Sequence, residues 1–85
     1  MSDQASTVIV YGAEWCPPCH TVKAYLKSRK VDFQYINIDE QREEGRAVAE
    51  KTGWTAIPII RIGEEYILGF DRARIDAALQ VNKLI

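Results

Sequence analysis

The chain has 85 residues and a formal net charge of −1, with 47% apolar and 27% charged residues. That suffices for one small domain, residues 1–85, with no second core, and without a basic excess to pair with phosphates it excludes electrostatic nucleic-acid binding. No apolar run approaches the ~18 residues that span a bilayer, and Met1 to Ser6 lack the basic-then-apolar order of a secretory signal, so the expectation is a cytoplasmic monomer with no membrane partner.

Residues 1–5 are small and polar and read as a frayed tail. Residues 6–11 read as the first strand. Its apolar run Val8-Ile9-Val10 is nearly continuous, which suits a strand buried on both faces. Gly12-Ala13-Glu14 is a loop, and Trp15-Cys16-Pro17-Pro18-Cys19 follows with both cysteines of the chain. A helix then starts at Cys16 or Pro17 and continues to about Lys30. Two prolines are tolerated in a first helical turn because the missing N–H groups would have no helical partner there. Cys19, Val22 and Leu26 fall on one inward stripe. That stripe leaves Cys16 outside it, at the helix tip, where water and substrates are expected to reach it.

Val31-Asp32 turns the chain into a second strand over residues 33–38, rich in aromatic and branched side chains. The intervening helix makes the first two strands parallel, joined by a right-handed crossover. Asp39 to Arg42 reads as the start of a second helix, with acids near its N-terminus, running to about Thr52. Gly53 suits its left-handed stop. Residues 54–58 are a loop, residues 59–62 the third strand, Gly63-Glu64 a turn, and residues 66–68 the fourth strand of an antiparallel hairpin. Gly69-Phe70 breaks the run, and Asp71 caps a last helix in which Ile75, Ala78 and Leu79 recur at helical spacing. The order β-α-β-α-β-β-α describes an α/β chain with a four-stranded mixed sheet flanked by three helices.

Two thiols at this spacing, between a strand and a helix, are placed for reversible disulfide chemistry. In the cytoplasm such a pair is catalytic more often than structural, and so short a loop would restrain the unfolded chain little. The attacking species is the thiolate, which the unpaired N–H groups and partial positive charge of a helix N-terminus stabilise. Cys16 is the candidate nucleophile. Cys19 is the candidate resolving thiol, which displaces the product from the mixed disulfide. Pro17 and Pro18 remove two N–H groups near Cys16, so the loop is stiffer and offers its thiolate fewer amides. Trp15 reads as a flat apolar contact flanking the thiol, with a loop-anchoring role as the plainer alternative. Trp54 reads as a second groove residue or as core. His20 is a candidate to add positive charge or relay a proton when Cys19 attacks, but it lies about 100° round the helix from Cys19 and should point to solvent; Lys23 favours the thiolate weakly. The pair supplies half of a zinc or cluster ligand set, and His20 is badly placed to join it. A metal or iron–sulfur module is therefore a minor alternative.

Cys16-Pro17-Pro18-Cys19, Ile57-Pro58 before the third strand, and Gly69-Phe70-Asp71 after the fourth occur in order and on fitting elements. Over about residues 7–80 the chain resembles a thioredoxin fold of the glutaredoxin branch, above all the short glutaredoxin-like and NrdH-type redoxins. The resemblance implies a cis Ile57–Pro58 bond beside the thiols, with the Ile57 backbone pairing with an extended substrate and Gly69, Phe70 and Asp71 completing the substrate site. It implies a dithiol oxidoreductase that reduces disulfide-containing proteins or small-molecule disulfides. No cofactor is bound; electrons come from NADPH through thioredoxin reductase, or from glutathione. Glutaredoxins commonly hold glutathione with a tyrosine inside the motif and a Gly-Gly followed by polar residues. Here Pro18 replaces the tyrosine, Leu68-Gly69 stands for Gly-Gly, and Arg72 follows Asp71. Leu68-Gly69-Phe70 resembles the Ser-Gly-Phe of NrdH-type redoxins, which draw on thioredoxin reductase. These departures favour thioredoxin reductase as the donor, with glutathione as the alternative.

Overall fold

Every residue of Val8–Gly12 is buried, and this strand, β1, is the centre of the molecule. A computed structural model describes residues 7–85; the tail read for residues 1–5, and Ser6, lie outside the described residues. β1 pairs in parallel with β2 (Gln34–Asn37) and antiparallel with β3 (Ile59–Ile62), which pairs antiparallel with β4 (Glu65–Leu68). The sheet order is β2-β1-β3-β4. Three helices cover it: α1 (Pro17–Ser28), α2 (Arg42–Thr52) and α3 (Arg72–Val81).

Alternation along β1 divides its side chains between two layers. Val8 and Val10 join Val22 and Leu26 of α1, Ile75, Ala78 and Leu79 of α3, and Ile60, Ile62 and Ile67 of the hairpin. Ile9 and Tyr11 face the other way, onto Ile36, Ile59 and Val48 of α2. That two-sided burial is why the strand reads as a continuous apolar run. Trp54 and Tyr66 pack on the α2 side, so Trp54 is core rather than groove.

The helix boundaries differ from the sequence expectation for local reasons. α1 stops at Ser28, not Lys30. The Val31 N–H reaches back to the Leu26 carbonyl (3.0 Å) and the Lys30 N–H to that of Lys27 (3.0 Å), with Lys30 left-handed at φ 59°. This is the paired stop that usually carries glycine, sealed by Val31 against the Leu26 core. α3 ends in the same way: Leu84 bonds Leu79 (2.8 Å), Lys83 bonds Gln80 (3.0 Å), and Lys83 has φ 60°. The second helix begins at Arg42 because Asn37 holds residues 38–41 in a turn. Its carbonyl accepts from the Glu40 and Gln41 N–H groups (3.1 and 2.8 Å), and its side-chain oxygen accepts from Asp39 (2.9 Å). Glu43 and Glu44, rather than Asp39 and Glu40, therefore occupy the first turn of α2. Gly53 is left-handed, as read, at φ 78°.

Candidate active site

The carboxyl end of β1 runs into the first turn of α1. Proline disfavours helical geometry in the residue before it, and Cys16, preceding Pro17, is extended (φ −107°, ψ 103°) and serves as the N-cap. Pro17 and Pro18 occupy the first two helical positions and carry no N–H. The first amide with a hydrogen to give is that of Cys19, 3.3 Å from the Cys16 sulfur. The Cys16 carbonyl accepts from the Cys19 and His20 N–H groups at 3.1 and 3.3 Å. Cys16 and Cys19 are joined as a disulfide, with Cα atoms 5.3 Å apart.

Cys16 is not open at the helix tip; it is 4% exposed, and Cys19 is 0% exposed. Ala13 and Ile57 pack around the two sulfurs and close them off. The asymmetry between the thiols survives in another form. Cys16, but not Cys19, lines a groove of about 570 Å³ walled by Trp15, Pro17, Pro18, Ile38, Ala56 and Ile57, with Thr55 its one polar side chain. Trp15 is 67% exposed, and its indole N–H donates to Asp39 (2.8 Å), which fixes the ring at the rim.

The Ile57–Pro58 bond is cis. Pro58 is fully buried, and its carbonyl accepts from the Gly69 N–H at 2.8 Å, which ties the turn after β4 to the proline loop. Gly69 is left-handed (φ 77°). Beyond it the expected substrate residues diverge from the groove. Phe70 meets the Tyr25 ring edge-on, with centroids 5.5 Å apart. The Asp71 carboxylate accepts from the Arg74 N–H (3.2 Å) as the cap of α3 and pairs with the Arg74 guanidinium at 3.6 Å. Arg72 turns to Asp76 (3.9 Å) and over the Tyr25 ring rather than to Asp71. The structure thus brings Trp15, Cys16, Pro17, Pro18 and Ile57 together, while Gly69 adjoins the proline loop and Phe70 and Asp71 turn to Tyr25 and Arg74, none of the three lining the groove. The His20 side chain lies 2.7 Å from the Glu14 carbonyl, and the Lys23 ammonium sits 4.0 Å from the Tyr35 ring centroid.

Sequence reading missed two residues at this site. A Cβ on Gly12 would stand 2.8 Å from the Cys19 sulfur, 2.8 Å from the Tyr35 hydroxyl and 2.9 Å from the Cys19 Cβ. Glycine is what lets β1 and α1 close on the disulfide, and its place between strand and motif was the available signal. Tyr35 on β2 brings its hydroxyl to that same point beside Gly12; nothing in its sequence neighbourhood announced that.

A family model described as Glutaredoxin matches residues 8–67, spanning both cysteines and Pro58 and ending before Leu68. The chain belongs to the glutaredoxin family. It is 41% identical over 64 residues to a glutaredoxin of Pseudomonas aeruginosa, covering 75% of this chain and 76% of that one. It is 35% identical over 74 residues to an uncharacterized glutaredoxin-like 8.6 kDa protein of a Clostridium pasteurianum rubredoxin operon, covering 84% and 95%. Among solved structures, the NrdH-redoxin of Escherichia coli, described there as glutaredoxin-like with a thioredoxin-like activity profile, superposes with a TM-score of 0.77 at 27% identity, covering 84% and 92%. This glutaredoxin-family chain has the α/β thioredoxin fold and is a thiol-disulfide oxidoreductase, and its Cys16–Cys19 pair fits that chemistry. Among the described residues no helix is long and apolar enough to cross a membrane.

Proposed function

We propose that this glutaredoxin-family protein reduces protein disulfides with Cys16 as nucleophile and Cys19 as resolving thiol, and that thioredoxin reductase rather than glutathione recharges it. In the reduced protein the Cys16 thiolate, held by the Cys19 N–H at the N-terminus of α1, attacks a substrate sulfur that enters the groove. The substrate's second sulfur leaves, and a mixed disulfide forms on Cys16. Cys19, one helical turn on, then attacks the Cys16 sulfur, releases the substrate thiol and closes the internal disulfide.

The observation that carries the choice of partner is the groove itself. Its walls are apolar and no charged side chain lines it. An extended polypeptide can lay apolar side chains against Trp15, Ile38 and Ile57 while its backbone runs along the Ile57–Pro58 segment. Glutathione carries two carboxylates and an ammonium, which such walls leave unpaired. Asp71, the acid available for the ammonium, is committed to the cap of α3 and to Arg74. The likeness to the Escherichia coli NrdH-redoxin supports the same direction. One observation favours the second reading, a glutathione-dependent enzyme: the Asp71 side chain keeps 45% of its surface open.

The test is a coupled assay. The oxidised protein is offered NADPH with thioredoxin reductase, and separately NADPH with glutathione and glutathione reductase. Fast turnover confined to the first mixture is expected. Fast turnover confined to the second overturns the proposed donor and leaves the roles of Cys16 and Cys19 standing.

A further inference from the structure

The Tyr35 hydroxyl is buried and has no hydrogen-bond partner among the described residues. A buried hydroxyl left unpaired carries the desolvation cost of its polar group with nothing to offset it, so its persistence in a small core calls for a reason. Its position supplies one. The point where a Cβ on Gly12 would sit is 2.8 Å from this oxygen and 2.8 Å from the Cys19 sulfur, so the two atoms are no more than twice that distance apart. The space between them is held open by a glycine. In the disulfide the Cys19 sulfur is a weak acceptor; in the thiolate it is an anion that a nearby O–H can serve.

We propose that Tyr35 is a hydrogen-bond donor to the Cys19 sulfur during turnover, its hydroxyl unpaired in the disulfide and engaged when that sulfur carries charge. This rests on the assignment of Cys16 as the attacked sulfur and Cys19 as the resolving one. When the reductant's thiolate attacks the Cys16 sulfur, a bond forms between those two sulfurs and the Cys16–Cys19 bond breaks. Its electron pair departs on the Cys19 sulfur, which accepts from the Tyr35 O–H until a proton arrives from water. In the opposite direction Cys19 gives up its proton, attacks the mixed disulfide, and the departing substrate thiolate takes up a proton. Tyr35 keeps its own proton throughout. The surroundings suit a donor: burial, with Glu14 adding to it, raises the phenol above its ordinary value of 10.0, so it is protonated at neutral pH. Lys23 lies over its ring, drawing electron density from the phenol. Across the concavity that the ring lines stand Lys27, Lys30 and Asp32. The helix N-terminal amide points at the Cys16 sulfur rather than at that of Cys19.

Tyr35→Phe removes the hydroxyl alone, and three readouts decide. The oxidised protein should melt at the same temperature or higher, because the lost oxygen had no partner. Alkylation of Cys19 by iodoacetamide in a Cys16→Ser background should shift its pH profile upward and slow about tenfold at pH 7, the weight of one hydrogen bond to a charged group. Reduction of the Cys16–Cys19 disulfide by dithiothreitol should slow by a similar factor. An unchanged profile with an unchanged reduction rate overturns the proposal, and so does a destabilised oxidised form, which would mean that the hydroxyl is already engaged there. If Cys16→Ser itself still reduces substrate disulfides, the assignment of the pair falls and takes this inference with it; an unaltered Tyr35→Phe profile in a protein that needs Cys16 refutes Tyr35 alone.

Discussion

Gly12→Ala replaces a hydrogen with a methyl at the point where β1 and α1 close on the disulfide. The new methyl would lie 2.8 Å from the Cys19 sulfur and 2.9 Å from the Cys19 Cβ, nearly an ångström inside the ~3.5–4.0 Å optimum for carbon contacts. Neither side yields easily. Gly12 ends a strand paired on both edges, and Cys19 is fully buried in the first turn of α1 and held by its disulfide. Overpacking of this kind costs about 1–3 kcal/mol, against which the stiffer unfolded chain returns about 0.4–1 kcal/mol. The net loss is about 1–2 kcal/mol, or a fall in melting temperature of roughly 5–15 °C for a domain of this size. Reduction frees the Cys19 sulfur to rotate, though not its Cβ, so the oxidised form should lose more than the reduced form. Thermal melts of both forms, with the equilibrium against a glutathione redox buffer, measure this. A variant as stable as the parent in the oxidised state would refute the close approach on which the site geometry rests.

Lys30→Gly should raise stability by about 0.5–1 kcal/mol in a denaturant titration, since the left-handed stop of α1 strains any residue with a Cβ. Asp71→Ala should cost ~1 kcal/mol through loss of the α3 cap, while turnover with thioredoxin reductase stays within about twofold; a selective loss of glutathione-dependent turnover would instead mark Asp71 as a glutathione contact. Pro18→Ala restores an N–H at the second position of α1 and should increase the alkylation rate of Cys16 below neutral pH several-fold. Tyr11 and Tyr35 both hold their protons beyond the ordinary 10.0, chiefly because burial disfavours the phenolate. Their contribution to stability is therefore whole below pH 10 and is lost as pH rises through the folded-state values; an alkaline titration should show a cooperative loss of structure there, weakened in Tyr35→Phe.

How far the chain announced itself depends on which contacts are local. β1 was legible because burial on both faces leaves an unbroken Val-Ile-Val run. The start of α1 was legible because two prolines fit only a first turn, and the cap of α3 because Asp71 acts within three residues of itself. The end of α1 was misjudged because Lys30 takes a conformation ordinarily given to glycine, and the helix stops on long-range packing of Val31 rather than on a residue signal. The exposure of Cys16 was misjudged for a related reason. Helical periodicity places it off the inward stripe, but Ile57, forty-one residues away in sequence, closes over it. Tyr35 was invisible because its neighbours, Gly12, Cys19 and Lys23, come from β1 and α1.

The claim that Cys16 attacks and Cys19 resolves is tested most directly by trapping. Cys19→Ser and Cys16→Ser, each reduced, are mixed with an apolar peptide carrying an activated disulfide, and the adducts are located by mass spectrometry. The account predicts a long-lived mixed disulfide on Cys16 in the first protein and little reaction at the buried Cys19 in the second. Rapid adduct formation on Cys19, with Cys16 inert, would contradict it.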